Sequence, residues 1–154
     1  MKSSTAKALL DQIDTAIIDI QGFPNSSTLE QSYFAKFLVV FICGIYEEAI
    51  ETIINERMGR LNFPPVSKFI EKALRRWFRN PDISNIKKFV NDFDQSWGNA
   101  IDQLSQQSKT VLDSIVQDKN SLAHGNTCNI TLNDIVQFYR DSRVVIETLD
   151  NIIL

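Results

Sequence analysis

Histidine, cysteine, proline and glycine are all scarce in this chain: its 154 residues hold one, two, four and five of them. Each shortage excludes something. Cys43 lies in an apolar run and Cys128 in a polar one, and two cysteines lack the count or spacing of a disulfide framework or a zinc site, so they suit a reducing compartment. A single histidine, with no carboxylate pair at ligand spacing, is a poor trap for a cation, so neither a metal nor a cofactor is expected. The few glycines form no phosphate-cradling loop, nucleophile elbow or paired-cysteine motif. Nor is there an apolar run that spans a bilayer. The longest, "FLVVFICGIY" from Phe37 to Tyr46, is bracketed by Lys36 and Glu47 and is about half of the roughly 20 residues required. It reads instead as a core helix apolar on all sides, one that a partner could also cover. The opening "MKSSTAKALLDQID" meets acidic residues before any leader could form, which predicts a cytoplasmic protein with no membrane attachment. A net charge of −3 argues against a generally basic nucleic-acid coat but says nothing of local clusters. With 44% hydrophobic content and no repeat, low-complexity tract or linker, residues 1–154 are expected to form a single domain around one core.

What the chain does have is helical periodicity from end to end. Ala6, Leu9, Leu10, Ile13, Ile17 and Ile20 recur at three- and four-residue steps and line one face of a first helix, which "GFPNSS" ends. Thr28 and Gln31 have capping-box spacing for a second helix that runs to about Arg60. After the break at "NFPP", Val66, Phe69, Ile70, Ala73, Leu74 and Trp77 form the inward face of a third, stopped by "RNPD" with its proline placed to start the next. Ile83, Ile86, Val90, Phe93 and Trp97 carry a fourth, and Ile101, Leu104, Val111, Leu112, Ile115, Val116 and Leu122 a fifth. The last opens on the pair Thr131 and Asp134 and carries Leu132, Ile135, Tyr139, Ile146, Leu149 and Ile153, widened by Phe138, Val145 and Ile152. Short connections favour antiparallel neighbours, so the predicted fold is all-α, an up-and-down bundle of five to six helices.

Two features stand out from that scaffold. The first is a basic stripe, Lys68, Lys72, Arg75, Arg76 and Arg79, opposite the apolar face of the third helix. Between residues 68 and 88, seven basic residues stand against two acidic ones, a local excess of five. Phosphate backbones bind such a face by charge neutralisation and counterion release, which makes Lys72, Arg75, Arg76 and Arg79 candidate RNA contacts; a solvated helix face is the plainer alternative. The second is "KNSLAHGN", residues 119 to 126, which holds the one histidine. On a regular helix Lys119 sits at the edge of the apolar stripe, four residues after Ile115, either covering the core with its stem or facing a cleft where an anion binds. Asn120 and His124, four apart, share another face, and Lys119 points roughly a hundred degrees or more away from both. One straight helix therefore cannot focus the three groups on one atom. They converge if the helix ends near Ala123, or if a second copy of the chain supplies some of them. His124 also suits a purely structural role, in the last turn ahead of a glycine stop at Gly125.

"IVQDKNSLAHGN", the short polar loop after it, "ITLNDIVQFY" and "VIETLDNIIL" together resemble the carboxy-terminal half of a HEPN (higher eukaryotes and prokaryotes nucleotide-binding) domain of the RiboL-PSP type. The signature of that family is an arginine, often followed by a polar residue, then four to six positions to a histidine. Asn120, Ala123, His124 and Gly125 fall at the matching places, and Lys119 stands where the arginine would be. "VVFICGIYEEAIETII" is similar to the family's second helix, and the remainder matches by helical layout. The resemblance implies a homodimer whose two motifs face one cleft and cut RNA without a metal, in a toxin or antiphage-defence setting, with an antitoxin or defence protein as a possible further partner. It implies catalytic roles for His124, Lys119 and Asn120. Histidine, with an unperturbed pKa of about 6.5, can take the ribose 2′-hydroxyl proton or supply one to the departing 5′-oxygen, and a fixed cation stabilises the charge that builds on the phosphate. Lysine offers a point charge where arginine offers a planar fork. A catalytically silent module that dimerises and binds RNA or protein is therefore the alternative function.

Overall fold

A computed structural model, which describes residues 1–24 and 26–154 and the backbone alone of Trp77, folds the chain into seven helices: α1 (Ser4–Gln21), α2 (Thr28–Arg60), α3 (Pro64–Trp77), α4 (Ile83–Asn91), α5 (Gln95–Asp102), α6 (Gln106–Ala123) and α7 (Leu132–Ile153). Asn25, in the expected break after the first helix, and the Trp77 side chain, read as part of an inward face, lie outside the described residues. Among the described residues there is no strand, and no helix is long and apolar enough to cross a membrane. The protein is thus all-α.

The long α2 is the axis of the bundle, packed against α1, α7, α6 and α3. Its buried residues, Leu38, Val39, Ile42, Cys43, Tyr46, Ala49, Ile50 and Ile53 among them, occupy most of its circumference, because four neighbours need an apolar surface on several sides. All six residues of the α1 stripe are buried; full burial of one aliphatic side chain contributes about 1.5–3 kcal/mol. The polar ends of the two core tyrosines are satisfied. The Tyr46 hydroxyl lies 3.0 Å from Ser142 Oγ, and the Tyr139 hydroxyl donates to the Leu10 carbonyl at 3.2 Å.

The sequence reading differs from the structure at four places. The capping box of α2 is Ser27 with Glu30, one residue ahead of Thr28 and Gln31; Ser27 Oγ accepts from the Glu30 amide and the Glu30 carboxylate accepts from the Ser27 amide. Two overlapping patterns compete there, and the one with a full carboxylate at the positive helix end wins. Next, the segment expected as a fourth helix is two short ones, and Ile101 belongs to the second of them, α5. Asp94 breaks the helix by accepting from the Ser96 amide at 2.8 Å. Gly98 then lets α5 close on α4, since a Cβ there would overlap the Asn91 side chain. Third, of the expected inward face of α3 only Leu74 is fully buried, while Val66 is 39% and Phe69 66% exposed. Among the described residues helix α3 packs chiefly on α2, which leaves Val66 and Phe69 open. Pro81 precedes the N-cap Asp82 of α4 and so lies outside that helix.

One buried charge ties the first residues to the last helix. The Asp150 side chain is fully buried and accepts from the backbone N–H of Ser3 at 2.8 Å and from that of Lys2. Asp150→Ala leaves the buried Ser3 N–H without its acceptor, so it is expected to cost about 2 kcal/mol, read as a melting temperature lower by about 5 °C. An unchanged melting temperature contradicts this role for Asp150.

Candidate active site

The last turn of α6 carries Lys119 and Asn120, and the helix stops at Ala123 with His124 as its C-cap. The stop is made by backbone. Gly125 takes a left-handed conformation (φ 74°), its N–H donates to the Leu122 carbonyl at 3.1 Å, and the Asn126 N–H donates to the Ser121 carbonyl at 2.9 Å. This is a Schellman closure, which needs glycine where a Cβ would be strained. His124 supplies its own N–H to the Asn120 carbonyl at 3.1 Å. Its side chain is exposed and plays no part in the cap.

Lys119 sits in a different setting. Its side chain is only 25% exposed, and its ammonium donates to Asn80 Oδ1 at 2.8 Å while Glu47 Oε1 lies 3.7 Å away. At that distance the lysine and the glutamate form an ion pair without a hydrogen bond, and Glu47 Oε1 is buried with no hydrogen-bond partner among the described residues. Burial pushes the Glu47 carboxyl above the usual carboxylate range, against the pull of Lys119, and Glu51 adds repulsion. Burial likewise raises Glu51, against the pull of Arg75. The nearby Cys43 thiol is pushed up to about 12 by burial, against the pull of Lys119, and its Sγ lies 3.8 Å from the Ile115 carbonyl. Cys43 is therefore a packed thiol at neutral pH, without thiolate reactivity.

These groups border two adjoining pockets. One, about 560 Å³, is lined by Glu47, Glu51, Arg75, Phe78, Arg79, Asn80, Lys119 and Asn120. The other, about 340 Å³, is lined by Asp82, Asp113, Val116, Gln117, Asn120, Ser121, His124 and Asn126. Asn120 is common to both. Lys119 opens into the first and His124 into the second, so ending the helix at Ala123 does not bring them onto one atom within a single chain. The larger pocket carries three cations (Lys119, Arg75, Arg79) against two carboxylates, Glu47 and Glu51. It suits an anion.

Of the basic stripe, the structure brings Arg75 and Arg79 to the Lys119 pocket, although Arg79 lies beyond the end of α3 and Arg75 is paired with Glu71 at 3.0 Å. Lys72 and Arg76 lie on the exposed outer side of α3, away from that pocket. Three residues of the site went unread in the sequence. Asn80 falls in a turn, Glu47 only brackets the apolar run, and Glu51 lies a turn further along the second helix. The one available signal was a carboxylate repeating at four residues, Glu47 to Glu51, beside the most apolar segment.

A family model described as RiboL-PSP-HEPN matches residues 4–154 of the chain. Among curated proteins and among solved structures, none matches it.

Proposed function

Because the chain belongs to the RiboL-PSP-HEPN family over nearly its whole length, we propose that it is an endoribonuclease that needs no metal and works as a homodimer, with Lys119 of one copy and His124 of the other addressing one phosphodiester. The observation that carries this reading is the division of the two groups between adjoining pockets that share Asn120. A two-fold arrangement uses the same patch on both copies and can set the cation of each against the imidazole of the other.

In the proposed reaction the His124 imidazole takes the proton of a ribose 2′-hydroxyl while the 2′-oxygen attacks phosphorus. The P–O5′ bond breaks and the leaving 5′-oxygen gains a proton, supplied by an imidazolium or by water. The products are a 2′,3′-cyclic phosphate and a 5′-hydroxyl. Lys119, already held in place by Asn80 and Glu47, stabilises the charge that grows on the non-bridging oxygens, and Asn120 orients the phosphate between the pockets. A toxin or antiphage role, restrained by an antitoxin or another defence protein, is the biological setting that suits such an activity. The test is incubation of the protein with total RNA in EDTA and identification of the fragment ends. Cyclic phosphate and 5′-hydroxyl ends support the reading; intact RNA, or 5′-phosphate ends, contradict it.

The departure at Lys119 favours one other reading, a silent module that binds RNA or protein without cutting. Wherever RNA is bound, Arg75 and Arg79, which border the Lys119 pocket, are its expected contacts. Reversing both charges is expected to reduce the magnitude of the slope of log affinity against log salt by about 1.4 or more, since each phosphate contact on a single strand contributes about 0.7. An unchanged slope returns the stripe to a solvated face.

A further inference from the structure

We propose that a second copy of this chain seats on an apolar stripe of α2 that runs directly into the Lys119 pocket, the two α2 helices lying antiparallel about a two-fold axis near Val40 and Phe41. This rests on the two-copy reading above and names the surface that makes it.

Leu29, Tyr33, Phe37 and Val40 are 64%, 61%, 51% and 51% exposed. With Gly44, Glu48 and Glu51 they follow steps of four, four, three, four, four and three, which is one continuous line along a helix. Phe37 stacks on Phe41 at 5.3 Å between ring centroids, so the aromatic surface is already ordered and a partner need not fix its rotamers. The line ends at Glu51, in the wall of the Lys119 pocket. From Leu29 to Glu51 it extends about 33 Å. Its apolar part, Leu29 to Val40, spans about 16 Å of that and, doubled by a second copy, suits the apolar centre of an interface of roughly 800 Å² per copy.

The occupant is identified by the way the stripe complements itself. In an antiparallel pairing about the stated axis, Phe37 of one copy meets Gly44 of the other and Tyr33 meets Glu48. At Gly44 a Cβ would touch nothing within 4 Å, so the glycine leaves a shallow seat open to a ring from outside. The Lys36 ammonium lies 5.7 Å from the Tyr33 ring centroid and so comes to the Glu48 of the opposite copy. A parallel pairing would instead set Glu48 against Glu48. The antiparallel arrangement also places the Leu29–Tyr33 turn of the second copy beside Glu51, closing the open side of the pocket that holds Lys119.

Gly44→Arg is the sharpest variant, because the single chain has room for the side chain and the helix gains from the loss of glycine, whereas the seat for Phe37 is filled. Sedimentation equilibrium is expected to show a wild-type dimer and a dimer dissociation constant raised at least about 100-fold by Gly44→Arg. Lys36→Glu is expected to weaken the dimer about tenfold and Glu48→Lys in the same chain to restore it, a rescue that only the antiparallel register provides. A dimer that survives Gly44→Arg, or a double variant no better than Lys36→Glu, overturns this surface. In that case RNA cleavage that still depends on protein concentration keeps the two-copy site and moves it to another face. A monomeric wild-type chain that cuts RNA overturns both.

Discussion

His124→Ala abolishes RNA cleavage, by a factor of about 100 or more, while the melting temperature stays within about 1–2 °C of the wild type, the range of an exposed substitution. The pairing of these two results follows from how α6 ends. The hydrogen bonds that close the helix come from the backbone of His124, Gly125 and Asn126, and the imidazole itself is exposed beside the smaller pocket. A capping histidine would lose stability and leave chemistry untouched. A proton-transfer histidine does the reverse. Circular dichroism melts and a gel assay on the same two preparations separate these roles. Equal cleavage by wild type and variant removes His124 from the reaction, and a large loss of stability assigns it to the fold.

The second large effect is expected at Lys119. Lys119→Met keeps much of the stem and removes the ammonium, and it is expected to lower cleavage about 10²- to 10³-fold, the scale on which one electrostatic stabiliser of a transition state contributes. Glu47 then loses the cation that draws its carboxyl down. Lys119→Arg tests the departure from the family signature. If the site cuts RNA, the planar fork spans two phosphate oxygens and cleavage is maintained or rises; in a silent module neither variant changes anything. The lysine stands 2.8 Å from Asn80 Oδ1, a position from which a point charge already reaches into the pocket.

How far the sequence made this site legible depended on whether each group is positioned locally. The apolar stripe of α1, the capping box at Thr131 and Asp134 and the end of α6 ahead of Gly125 are set by residues within a few positions of one another, and periodicity reads them. Asp94 acts just as locally, yet side-chain competition for a backbone amide is hard to weigh against an unbroken apolar repeat, so periodicity alone reads α4 and α5 as one helix. Asn80 reaches Lys119 across 39 residues, and Glu47 does so from α2. Only packing of α2, α6 and the loop after α3 brings them together, and no spacing rule reports that. The exposed flank of α3 was illegible for the opposite reason: periodicity shows which residues share a face, but not whether anything covers it.

Subunit complementation tests most directly whether one scissile linkage is served by two chains. Lys119→Met and His124→Ala chains, each inactive alone, are co-expressed and the mixed dimers assayed on RNA. If Lys119 of one copy works with His124 of the other, random pairing restores one intact site in each heterodimer, about a quarter of the wild-type rate. A mixture as inactive as either parent, with subunit exchange verified, contradicts the shared site and confines the chemistry to groups of a single chain.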